Sequence, residues 1–417
     1  MTSDSEPWGS ESPFTISIPD SELSNLQARL ALTRLPDELE DVSGNELGAP
    51  LADIQRLVSR WKDGFDWRKE EATLNAELPQ FARDVEINGF GKLSVHYVHQ
   101  RSEREDSIPL LFVHGWPGNF LEVRKILPLL VSAPPEHPTF HVVAFSLPGF
   151  GFSEAPKKKG FKLDQYAEMG HKLMLALGYE QYVTQGGDLG FSITRRIAQR
   201  YAPAHSKAWH TNFPIAHHPP FLASPLAYLR AKVTPYSDFE KATLARRIWF
   251  VSKGWGYHTL QSTKPQTIGY SLTDSPVGLL SWVYEKLVDW TDGYKWEDDE
   301  VLTWISLMYF SSAGPAASLR IYNEIATEKP GWGLIQPPAN APTQIPFGMS
   351  LFPKELSLTA KTWMRPLGNT VFESEHTKGG HFAAHEVPEL LVDDLRRMFG
   401  KGGPAYGVVP GKNGYNK

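Results

Sequence analysis

The segment of the 417-residue chain best suited to chemistry is Gln185-Gly186-Gly187-Asp188-Leu189-Gly190. An apolar run at 182–184 precedes it, and Phe191, Ile193, Ile197 and Tyr201 follow in a helical pattern. A strand that turns sharply through glycines into a helix leaves its central side chain exposed in a strained conformation, and small neighbours let the backbone pass. The helix N-terminus favours negative charge at that point. Asp188 holds the centre, and no G-x-S-x-G occurs anywhere in the chain. A glycine-rich turn in which Asp188 only caps the helix is the competing reading. A serine must lose a proton before it attacks a carbonyl, whereas an aspartate, with a reference pKa of ~4, is already ionised at neutral pH. A free carboxylate suits displacement at an sp³ carbon and leaves an alkyl ester on the protein. Hydrolysing that ester calls for a base to activate water and donors to hold the oxyanion.

Residues of both kinds occur at suitable places. His114-Gly115-Trp116-Pro117-Gly118 follows the apolar run 110–113, and its small, turn-prone residues can turn the Trp116 N–H toward Asp188. With the N–H of Leu189 it makes a two-donor oxyanion hole. An ordinary Pro-Gly turn is the plainer account of the same residues. Lys378-Gly379-Gly380-His381-Phe382 puts a histidine on a glycine-rich loop ahead of the last helical pattern. Phe352-Pro353-Lys354-Glu355-Leu356 puts a carboxylate just after the run 345–351. The chain order is nucleophile, acid, histidine: Asp188, Glu355, His381.

Other chemistries find less support. His381 and His385 stand four apart beside Glu386, as two zinc ligands on a helix would. The preceding glycines place His381 at or before the helix start, however, and no third ligand is evident. His217-His218 precede two prolines and read as loop. Gly149-Phe150-Gly151 has Glu154 where a dinucleotide fingerprint needs its third glycine. The absence of cysteine excludes disulfides, thiolate nucleophiles and iron–sulfur clusters, and no metal or other cofactor is expected. A net charge of −5 argues against a nucleic-acid partner.

The elements that must hold these residues alternate between two periods. Three helical patterns come first: Leu23, Leu26 and Leu30 behind a cap at Asp20 or Ser21; Leu51, Ile54, Leu57, Val58 and Trp61; and a third from about Asp66. From about residue 83 the period becomes two, at Val85 and Ile87, then Leu93, Val95 and Tyr97. Runs at 110–113, 141–145, 182–184, 345–351 and 370–373 alternate with helix-length patterns, and 387–399 is a last helix. That alternation predicts a largely parallel sheet covered on both faces. Residues 214–335, rich in Trp, Tyr and Pro without strand alternation, read as a helical insertion. The expected organisation is an extension at 1–82, with 1–13 disordered. A core at 83–213 and 336–399 follows, with a lid at 214–335 and a flexible, Gly-rich tail at 400–417. No run is long enough to span a bilayer and the N-terminus lacks a secretory pattern, so a cytoplasmic, soluble protein without a membrane anchor is expected.

Taken together, these residues resemble the epoxide hydrolases of the α/β-hydrolase fold, in particular their microsomal-type branch. The resemblance runs from about residue 14 to 399. HGWPG at 114–118, GGD at 186–188, FPKEL at 352–356 and GGHFAA at 379–384 match the family's oxyanion, nucleophile, acid and base motifs. Leu35-Pro36-Asp37-Glu38, Trp61, Asp66-Trp67-Arg68 and Leu74-Asn75 are similar to the branch's N-terminal extension. The resemblance implies a mostly parallel sheet flanked by helices, with an inserted helical lid. It also implies cofactor-independent conversion of a small-molecule epoxide and water to a vicinal diol, in detoxification or in biosynthesis. It assigns two lid tyrosines as donors to the epoxide oxygen, Tyr257 in Gly256-Tyr257 and Tyr322 in Arg320-Ile321-Tyr322-Asn323-Glu324. Asn119 and His385 depart from the family pattern. The aromatic lid suggests an apolar or aromatic substrate, and a homodimer is left open. A haloalkane or haloacid dehalogenase uses the same Asp nucleophile but needs halide donors in place of the tyrosine pair. A ligand-binding relative without turnover is expected to have lost one of Asp188, Glu355 and His381, and none is lost.

Overall fold

Nine strands build a single sheet: β1 (Ser12–Pro13), β2 (Gln80–Ile87), β3 (Gly91–Gln100), β4 (Ile108–Val113), β5 (Phe140–Phe145), β6 (Tyr182–Gly186), β7 (Ser206–Thr211), β8 (Thr343–Leu351) and β9 (Gly368–Glu375). They belong to a computed structural model that describes residues 8–41, 44–219, 221–222, 225–326 and 342–415. The spatial order is β1-β2-β3-β5-β4-β6-β7-β8-β9. Pairing is antiparallel from β1 to β5 and parallel from β5 to β9. Every residue of β4, β5 and β6 is buried, which accounts for their short unbroken apolar runs. The helices Leu163–Ala176 and Leu189–Tyr201 pack on each other and on the sheet. The fold is the α/β-hydrolase fold.

After β4 the chain goes to β5 on one side and returns to β6 on the other. The order reverses there, and a crevice opens at the carboxyl ends of the strands. Val113 of β4 pairs with Gly186 of β6, so the turns that follow both strands emerge side by side.

Between β7 and β8 run the helices Pro225–Val233, Asp238–Trp249, Gly256–Thr263, Pro265–Asp274, Pro276–Asp289, Asp298–Tyr309 and Arg320–Ala326. They occupy the stretch expected as a lid; residues 327–341, which include its expected end and the expected restart of the core at 336, lie outside the described residues. Strand β7 carries no clear alternation in Ser-Lys-Ala-Trp-His-Thr, and the sequence reading placed no strand there.

Three N-terminal helices, α1 (Asp20–Ala31), α2 (Leu51–Asp63) and α3 (Trp67–Glu77), form the extension. Asp66 caps α3 by accepting from the Lys69 N–H at 3.1 Å. The extension is pinned to the lid by ion pairs from Arg56 to Asp298 (2.6 Å), Arg60 to Asp299 (2.7 Å) and Arg29 to Asp274 (2.8 Å). Exposed pairs of this kind each contribute ~0–1 kcal/mol, so they fix register more than stability. Among the described residues no helix is long and apolar enough to cross a membrane.

Two expected disordered ends are ordered where they are described. Ser12 and Pro13 pair with β2, the Gly9 N–H donates to Asp84 O at 2.8 Å, and Trp8 bridges Val85; residues 1–7 lie outside the described residues. The sheet therefore takes in residues of the expected extension, Ser12 and Pro13, and its second strand starts at Gln80, three residues ahead of the expected core boundary. At the other end Ala405, Val409 and Tyr415 are buried, and Gly414 O accepts from the Thr139 N–H at 2.9 Å. Glycines at positive φ fold this tail back without any regular element, so its three anchors had no period to betray them. Residues 416–417 lie outside the described residues.

Candidate active site

Asp188 occupies a positive-φ conformation (φ 51°, ψ −125°), shared among described non-glycine residues only by the positive φ of Asp41. This is the strained turn its sequence context predicts, with Leu189 opening the helix Leu189–Tyr201. The glycines are sterically required. A Cβ on Gly190 would lie 2.0 Å from the Val113 carbonyl oxygen, and one on Gly115 would overlap the Asp188 carboxyl group. The Trp116 N–H donates to Asp188 Oδ1 at 2.9 Å. The Leu189 N–H lies in the first helical turn, where backbone donors have no helical acceptor.

Neighbouring groups lock the turn that carries Trp116. His114 is buried, and burial holds its imidazole down to about 4. Neutral, it donates from Nδ1 to Gly115 O at 3.0 Å and accepts the Leu147 N–H at Nε2, 3.1 Å. Trp304 Nε1–H donates to Pro117 O at 2.9 Å.

His381 reaches the same crevice from beyond β9, and Glu355 from beyond β8. His381 Nδ1–H donates to Glu355 Oε1 at 2.7 Å, and Nε2 lies 3.4 Å from Asp188 Oδ2. Glu355 is fully buried, and its Oε1 also accepts the Leu356 N–H at 2.6 Å. Burial disfavours a charged His381, yet the attraction and hydrogen bonds of Glu355 and Asp188 outweigh it and raise the imidazole to about 10. At that value the histidine carries its proton at neutral pH.

The lid brings both tyrosines over this pair. Tyr257 lies in the helix Gly256–Thr263, directly after a π-helical turn at Phe250–Gly254, and Tyr322 lies in Arg320–Ala326. Their rings meet edge to face at 5.9 Å. The Trp116 indole stacks on Tyr257 at 5.0 Å and meets Tyr322 edge-on at 5.8 Å. Burial, with the Asp188 charge adding to it, holds both hydroxyls well above the usual tyrosine range, so each remains a donor. All seven residues singled out in the sequence thus surround one crevice.

Residues 11–123 match the model of the epoxide hydrolase N terminus, and residues 108–244 match that of the alpha/beta hydrolase fold. Epoxide hydrolase 1 of Sus scrofa is 34% identical over 414 residues, covering 93% of this chain and 88% of its own. A Stigmatella aurantiaca protein provisionally named an epoxide hydrolase is 38% identical, covering 93% and 84% respectively. The chain belongs to the epoxide hydrolase family. The solved structure of the Aspergillus niger epoxide hydrolase superposes with a TM-score of 0.78 at 35% identity, covering 93% of this chain and 95% of that one.

In this epoxide hydrolase Asp188 opens onto a small cavity lined by Phe213, Ile215, Phe250, Trp255, Tyr257 and His258 among others. A much larger groove of about 980 Å³ runs between the extension and the lid helix Pro276–Asp289, away from the reactive residues. The sequence reading missed the contacts that aim His381. Its N–H donates to Trp290 O at 2.8 Å, and its ring meets the edges of Trp290 (5.0 Å) and Phe213 (5.1 Å). The Gly379 N–H donates to Asp292 Oδ2, and the Asp292 N–H to Glu386 Oε2, both at 2.9 Å. Nothing in Trp290-Thr291-Asp292 signals this, because the partners lie some ninety residues away. The two departures from the family pattern are structural: Asn119 Oδ1 accepts the Leu121 N–H, and His385 pairs with Glu300 at 2.7 Å.

Proposed function

We propose that the enzyme opens an apolar epoxide through a covalent ester on Asp188 and releases a vicinal diol. The observation that carries this reading is the division of labour between the two Asp188 oxygens. Oδ1 is held by the Trp116 N–H, whereas Oδ2 faces the His381 side of the crevice. Oδ2 attacks one ring carbon, the C–O bond breaks, and Tyr257 or Tyr322 donates a proton to the departing oxygen. Alkylation removes the Asp188 charge and with it one of the two carboxylates that hold the proton on His381, and that proton passes to the tyrosinate left by ring opening, which becomes a phenol again. Neutral His381 then takes a proton from water, and the hydroxide attacks the ester carbonyl carbon. Charge develops on Oδ1, where the Trp116 and Leu189 N–H groups receive it. Collapse expels the diol, which takes its proton from His381 and carries Oδ2 away, and the Asp188 acid so formed gives its own proton to the imidazole. Glu355 keeps the imidazole oriented and offsets its charge. The aromatic lining of the cavity favours an apolar or aryl epoxide.

The origin of the diol oxygen tests this. With enzyme in excess, a single turnover in oxygen-18 water is expected to give unlabelled diol and labelled Asp188. Label in the first diol released would make Asp188 a base or an electrostatic group, with water attacking the ring directly.

A further inference from the structure

The turn 114–118 lies between two carboxyl groups, and only one of them has a role so far. Asp188 presses on Gly115 from one side. From the other, Glu122 turns its carboxyl back onto Gly118, where a Cβ would overlap Glu122 Oε1 and lie 3.1 Å from Gly115 O. Glu122 sits in the 3₁₀ turn Phe120–Val123, and local bonds aim it. Its N–H donates to Asn119 O at 3.1 Å, while Asn119 Oδ1 accepts the Leu121 N–H at 2.8 Å. The residue keeps some surface, but its carboxyl group is turned inward against Gly118 and feels the charges of His381 and Asp188. Burial, the dominant influence, pushes this carboxyl up to about 8.

We propose that Glu122 is a positioning residue for ester hydrolysis, latching the turn 114–118 from behind so that the Trp116 N–H stays on Asp188 Oδ1. The inference rests on the covalent mechanism above. Gly115 and Gly118 have no side chains with which to anchor the turn. Trp304 holds it at Pro117 from the lid, and the Glu122 carboxyl packs against it at Gly118, two residues from the donor. A donor on the resting carboxylate stabilises the nucleophile and does not speed alkylation. During hydrolysis a full charge develops on Oδ1, and the aim of that N–H then matters most.

The test separates the two half-reactions in single-turnover experiments on the full chain with styrene oxide, following ester by denaturing mass spectrometry and diol by quench. Loss of one oxyanion donor costs on the order of 10²–10³ in rate, so Glu122→Ala, which only loosens one, is expected to slow hydrolysis about tenfold or more. Alkylation should stay within about threefold. Glu122→Gln keeps the length and shape that pack against Gly118 and should restore hydrolysis. Glu122→Asp falls one methylene short and should behave as the alanine variant does. If Glu122→Ala folds poorly, the Gln and Asp pair decides. Normal hydrolysis in both, or equal slowing of both steps without rescue by Gln, overturns the proposal. Absence of any ester in the parent enzyme would instead overturn the covalent reading and this role with it.

Discussion

Replacing Glu355 with Gln separates charge from tautomer as the source of its effect on His381. Glu355 Oε1 accepts two hydrogen bonds at once, from His381 Nδ1–H at 2.7 Å and from the Leu356 N–H at 2.6 Å. An amide NH₂ in that corner would face two N–H groups, so Gln must keep its oxygen there. The imidazole therefore retains its Nδ1–H tautomer, and Nε2 stays available to water. Only the charge is lost. A hydrogen bond to a charged group contributes ~1.5–3 kcal/mol against ~0.5–1.5 kcal/mol for a neutral pair. The difference, about 1–2 kcal/mol, corresponds to roughly 5- to 30-fold slower hydrolysis at 1.4 kcal/mol per factor of ten. Had the tautomer flipped, a loss on the order of 10⁴ would follow. The variant also places its NH₂ at the Oε2 position, which is buried and has no hydrogen-bond partner in the structure, so unfolding free energy should drop by ~1–3 kcal/mol. Single-turnover kinetics with mass analysis of the Asp188 peptide reads the hydrolytic step directly. Hydrolysis slowed near 10⁴-fold, or alkylation slowed as much as hydrolysis, would refute this account.

Three further outcomes are expected. Tyr257→Phe and Tyr322→Phe should each slow alkylation by up to about 10²-fold, and the double variant by more, since each removes a donor to the developing alkoxide; a near-normal alkylation rate in the double variant would remove the tyrosines from the mechanism. Because burial is outweighed and His381 stands at about 10 in the folded protein against an ordinary 6.5, its contribution to stability is complete below pH 6.5 and fades as pH rises through 10. Urea titrations should therefore show stability falling across that window in the parent and a flatter profile in His381→Gln. Deleting 401–417 uncovers the surfaces on which Val409 and Tyr415 are buried, and should lower unfolding free energy by roughly 3 kcal/mol or more; an unchanged melting temperature would contradict the packing of the tail.

Much of the reactive crevice was legible in the sequence because local geometry demands particular residues. Gly190 must be glycine where the helix passes the Val113 carbonyl, and Asp188 must tolerate positive φ, so the turn announces itself within six residues. The continuous runs of β4, β5 and β6 were visible for a similar reason: strands covered on both faces need apolar residues throughout. Tyr257 and Tyr322 stood out only through resemblance, since nothing local separates them from other aromatics in a packed lid.

What the sequence by itself determined was therefore the set of short-range constraints: strand, glycine turn, helix, and the order in which carboxylates and histidine follow. Tertiary structure alone decided how these segments meet. The parallel register of Val113 with Gly186 brings two turns together, and the return of the chain past β8 and β9 delivers Glu355 and His381 to Asp188. The aim of His381 depends on Trp290, Asp292 and Glu386, and that of the turn 114–118 on Trp304, to which our proposal adds Glu122. Apart from Glu122 and Glu386, these partners lie far from their targets in the chain. Periodicity records which face of an element is buried; it carries no record of which distant backbone group that face will meet.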